Sequence, residues 1–94
     1  MRAKALKSSS VHLDLRRFRE RLRPRKTLGQ VALGAQIDKS WLSRIETGRG
    51  EISTSGARQL ARFYSRVTGR YVTAGQILDM AELAAARWRA GGKD

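Results

Sequence analysis

No cysteine occurs among the 94 residues, so neither a disulfide nor a thiolate metal centre can hold this chain together. His12 is the single histidine and lacks ligand partners at useful spacing, so it reads as a solvated surface residue. Neither metal nor cofactor is therefore expected. No apolar run approaches the roughly 18 residues of a membrane span, and the start lacks the apolar core of a secretory signal. A cytoplasmic protein with no membrane partner is expected. A nucleophile–base pair, a phosphate-binding glycine loop and metal-ligand spacing are all missing, and catalysis is not expected. Acids are scarce too: 8 against 20 lysines and arginines, leaving a net charge of +12. Charge of that size speaks to partners rather than to fold, and DNA, RNA or an anionic membrane surface would each suit it.

What is present suffices for one small core, with 40% hydrophobic residues. Residues 1–10 (MRAKALKSSS) carry Arg2, Lys4 and Lys7 before three serines. That composition predicts a flexible basic arm, either idle or touching DNA. Residues 11–90 form the folded domain, and 91–94 a disordered tail. From Val11 to Arg23, Val11, Leu15, Phe18 and Leu22 fall on one stripe at helical spacing, and Pro24 closes the helix. Thr27 is a suitable N-cap for a second helix with Leu28, Val31, Ala32 and Ala35 on one face, although Gly29 and Gly34 weaken it. Asp38 caps a third helix that ends at Gly48. A fourth runs from near Ser55 to Val67, and Thr73 caps a fifth reaching about Ala90. No β pattern longer than Gly69–Thr73 occurs. The fold class is all-α, with five helices.

The second and third helices meet the requirements of a helix-turn-helix. Ala32 supplies the small residue at the crossing, Gln36 the positive-φ position and Ile37 the apolar plug; Leu42 and Ile45 face inward. Lys39, Ser40, Ser43, Arg44 and Thr47 project away from that inner face. Trp41 lies between the two faces, and both covering the core edge and stacking on a DNA backbone remain open. Arg16, Arg17, Arg19, Arg23, Arg25 and Lys26 form either a phosphate-facing strip or a solvated surface.

Trp41–Arg49 (WLSRIETGR) and Thr27–Ala32 (TLGQVA) resemble the Cro/C1-type (XRE-like) helix-turn-helix domain of phage repressors and bacterial regulators, over residues 13–79. The resemblance implies a compact five-helix, lambda-repressor-like domain working as a homodimer on an operator in double-stranded DNA. It implies base contacts from Lys39, Ser40, Ser43 and Arg44, and backbone contacts from Thr27, Gly29, Trp41, Thr47 and Arg49. Guanidinium can grip guanine O6 and N7 together, which makes Arg44 the sharpest of these. The family pattern also places a salt bridge between Arg21 and Glu46; the alternative is two solvated charges. Leu28, Gln36 and Ile52 depart from the family's usual Gln, Gly and Pro. The broad apolar face of the last helix (about 74–90) predicts a dimer interface through Ile77, Ala81, Ala84 and Trp88, unless the helix folds back on the domain. Sequence-specific transcriptional regulation, in the sense of repression, is the function expected. An autoregulating antitoxin with a toxin partner and a basic RNA-binding protein are the alternatives.

Overall fold

A computed structural model describes residues 13–91, which form five helices joined by short turns. They are α1 (Leu15–Glu20), α2 (Leu28–Ala35), α3 (Lys39–Thr47), α4 (Thr54–Thr68) and α5 (Ala74–Arg89). The expected arm at residues 1–10, and Val11 and His12, lie outside the described residues, as do residues 92–94 of the tail. Among the described residues, no helix is long and apolar enough to cross a membrane.

Each helix starts at a side chain that can accept a hydrogen bond from the first turn. Asp14, Thr27, Asp38, Ser53 and Thr73 are the N-caps, and Thr27 and Thr73 form reciprocal capping boxes with Gln30 and Gln76. Such caps are worth about 1 kcal/mol each, which matters for helices of only two or three turns. Gly48 and Gly69 stop α3 and α4 in left-handed conformations. Helix α1 is shorter than its apolar stripe suggested. The Arg21 N–H is shared between the carbonyls of Arg17 and Phe18, and the Leu22 N–H reaches Arg19. The last turn thus tightens and closes before Pro24 is reached, although Leu22 remains buried.

The helices enclose one core in which Leu15, Val31, Leu42, Ile45, Leu60, Tyr64 and Ile77 are fully buried. Helix α5 folds back across α4, α3 and α1. Phe18 and Phe63 meet Tyr64 edge-on, with ring centroids 4.9 and 5.6 Å away. Phe63 is itself buried. Gly34 makes room for it: a Cβ there would come within 2.2 Å of the Phe63 ring. The helix-weakening glycine is therefore the complement of an aromatic side chain on α4.

Candidate nucleic-acid interface

The turn between α2 and α3 has the geometry that its residues foretold. Gln36 sits in the left-handed region at φ 60° and ψ 48°. Ile37 packs against the core, and its N–H donates to the Ala32 carbonyl at 2.9 Å. Ala32 is buried where the two helices meet. These contacts hold α3 at a set angle. Leu42, Ile45 and Glu46 lie on its buried side, whereas Lys39, Ser40 and Arg44 are exposed. Among the described residues, those three exposed side chains have neither an ion pair nor a side-chain hydrogen bond. Ser43 is half-buried beside them.

The first turns of α2 and α3 converge. The Lys39 side chain runs past Gly29, its Cε and Nζ 3.9 and 4.0 Å from where a Cβ on Gly29 would stand. An ammonium group thereby lies beside the first turn of α2, and both it and a helix N-terminus attract anions. The Thr27 hydroxyl accepts the Gln30 N–H at 3.1 Å, and the Gln30 side chain accepts the Thr27 N–H at 2.9 Å. Thr27 thus shapes this turn as well as standing exposed on it.

Trp41 is half-buried and covers the edge of the core. Its ring lies over Gly56 at the start of α4, where a Cβ would fall 2.5 Å from Cη2. Thr47 donates to the carbonyls of Ser43 and Arg44 at 3.0 and 3.2 Å and accepts from Arg49 Nε at 3.1 Å. The exposed guanidinium of Arg49 also lies 5.6 Å above the ring of Trp88, a cation–π contact worth about 0.5–1 kcal/mol at such a site. Arg49 is therefore held on two sides, by Thr47 and by Trp88.

The expected pair Arg21–Glu46 does not form. Glu46 is gripped by Arg19, whose Nε and Nη2 donate to its two carboxylate oxygens at 2.8 and 2.9 Å, while Arg21 is exposed. Arg19 Nη1 also donates to the Lys26 carbonyl at 3.1 Å, so one guanidinium ties α1, α3 and the segment leading into α2. The reason is rotational. At 100° per residue, Arg19 falls roughly 65° from the centre of the Leu15–Phe18–Leu22 stripe and Arg21 roughly 95° away. Hydrogen bonding to Glu46 holds the Arg19 guanidinium above its usual pKa. Burial, and next the Glu46 carboxylate, push the Tyr64 hydroxyl well above the usual tyrosine range.

The basic residues between Arg16 and Lys26 thereby differ in their surroundings. Arg19 is committed to Glu46 and Arg16 pairs with Glu20 at 3.2 Å, whereas Arg17, Arg23 and Arg25 are exposed. A second link, absent from the expectations, joins the buried Asp14 at the start of α1 to the half-exposed Arg87 near the end of α5. Sequence spacing carries no signal for a contact across 73 positions.

The expected subunit contact is also corrected. Ile77, Ala81 and Ala84 are 0, 7 and 4% exposed within a single chain, because α5 folds back and spends that face on α4, α3 and α1. Trp88 is half-buried beneath Arg49. Ile77, Ala81 and Ala84 thus complete the monomer instead of offering a surface, and Trp88 is partly covered.

A family model described as a helix-turn-helix domain matches residues 13–70, which span α1 to the end of α4. Neither the curated proteins nor the solved structures yielded a match.

Proposed function

Since the chain belongs to the helix-turn-helix domain family, we propose that it is a sequence-specific regulator of transcription that reads duplex DNA with α3. The observation that carries this reading is the division of α3 into a locked inner face and an outer face of exposed Lys39, Ser40 and Arg44, whose side chains have no partner among the described residues. A helix presented in this way fits the major groove, with its N-terminal residues at the base edges.

The side chains then take distinct roles. Arg44 grips a guanine edge, and Ser40 and Ser43 sit against neighbouring bases. Lys39, drawn toward Gly29, shares a phosphate with the N-terminal amides of α2 and Thr27. Arg49, braced by Thr47 and Trp88, meets a phosphate beyond the far end of α3. The net charge of +12 supplies salt-dependent affinity, and α3 the discrimination. Repression from an inverted-repeat operator by two copies is part of the proposal. Their mutual contact lies outside the Ile77–Ala84 stripe, which is already buried.

Selection of bound duplexes from a random DNA pool tests the reading, with RNA of the same length as competitor. One enriched motif of inverted-repeat form, resistant to RNA, is the expected result. Recovery of unenriched sequences, or displacement by RNA at equal concentration, would overturn it.

A further inference from the structure

Away from α3, a groove of about 550 Å³ opens between α1, the turn joining α4 to α5, and the first turns of α5. Its volume lies within the roughly 300–1,000 Å³ range of binding clefts. Leu22, Val72 and Met80, all buried, belong to its apolar floor, while Arg21, Arg23 and Arg70 are exposed along its rim. Tyr71 also borders it and is 85% exposed, unusual for a large aromatic residue. Asp79 is the acid on this wall, so the rim keeps a positive balance.

We propose that this groove docks an acidic segment of another protein, one in which carboxylates flank a bulky apolar side chain. The carboxylates pair with Arg21, Arg23 and Arg70, and the apolar anchor fills the floor beside Tyr71. Charge decides between the possible occupants. A second copy of this chain brings a further net charge of +12 to an already basic rim. Residues 1–12 contain Arg2, Lys4 and Lys7 and no acid, so they are repelled in the same way. Nucleic acid would satisfy the arginines but leave the aliphatic floor without an apolar partner. No residue of α2 or α3 lines the groove, so the segment and DNA can be held together. The inference therefore stands whether or not the DNA reading holds.

The probe is a displayed library of random 12-residue peptides, selected on the full chain. Counter-selection uses the triple variant Arg23→Ser, Arg70→Ser, Tyr71→Ser, after circular dichroism shows its helix content unchanged. A second variant, Arg58→Ser with Arg62→Ser, also loses two charges, but from exposed positions on α4. Surviving peptides should combine acids with a leucine, phenylalanine or tryptophan. They should bind the triple variant about tenfold more weakly and the α4 variant within about twofold of the parent. Duplex DNA should leave them bound. The proposal fails if no peptide survives counter-selection, if survivors need only acids, if the two variants weaken binding equally, or if DNA or RNA displaces them.

Discussion

Arg44 and Glu46 stand two positions apart on α3 and have opposite surroundings. Glu46 is 6% exposed and accepts two hydrogen bonds from Arg19, whereas Arg44 is exposed and has no side-chain partner among the described residues. Two residues are about 200° of helix rotation, enough to carry one charge into the protein and leave the other in solvent. The comparison shows how a short helix serves two ends. Its inner charge is spent on holding α3 against α1, and that rigidity gives the outer charge a defined direction. A flexible reader would lose part of its binding energy to ordering on contact.

The strongest way to break the comparison is to remove the inner charge. Glu46→Ala leaves the half-buried Arg19 without its counter-ion and should lower stability by about 3 kcal/mol in urea unfolding. Arg21→Ala should change it by less than about 0.5 kcal/mol. Equal effects would mean that the pair does not fasten α3. On the outer face, Arg44→Ala should leave stability unaltered but cost about 1–3 kcal/mol on the cognate duplex and relax the preference at one base pair. Uniform weakening on all sequences would reduce Arg44 to a phosphate contact.

Arg49 offers a finer test. Arg49→Ala should weaken binding to every duplex and flatten the dependence of log K on log salt by about one unit. Trp88→Ala should produce a smaller loss of the same kind, and none in a chain that already lacks Arg49. An additive double variant would show that the ring does not brace the guanidinium.

The smallest effect belongs to Tyr64, whose buried hydroxyl has no hydrogen-bond partner among the described residues. Tyr64→Phe should alter stability at neutral pH by no more than about 1 kcal/mol. Its consequence appears in alkali. The folded chain keeps the Tyr64 proton at a pH where an unfolded tyrosine, with its ordinary pKa near 10, has released it. Stability from this source is present below about pH 10 and is lost as the pH rises above it. In thermal melts at pH 8, 10 and 11 the parent should therefore lose stability relative to Tyr64→Phe toward the alkaline end, and a difference that stays constant with pH would contradict this.

Much of the domain was legible from short-range chemistry. The caps at Thr27, Asp38 and Thr73, the left-handed turn at Gln36 and the stop at Gly48 each depend on a residue and its immediate neighbours. The buried positions of α2 and α3 followed from helical period, and so did the outward turn of Lys39, Ser40 and Arg44. The Arg19–Glu46 pair was within reach of the same arithmetic, since Arg19 lies closer than Arg21 to the apolar stripe.

Other features had no local signature. Phe63 is buried because Gly34, on another helix, leaves room for its ring. The apolar face of α5 pointed to a second subunit ahead of the chain's own core, because periodicity reveals that a face is covered but not what covers it. Folding α5 back over α4, α3 and α1 resolved that choice, and it also brought Trp88 under Arg49 and Arg87 onto Asp14. Hydrogen-bonded turns and helix period act over about four residues, so the residues themselves announce them. Which surfaces meet depends on the directions in which whole helices leave their turns, and only the assembled fold decides those.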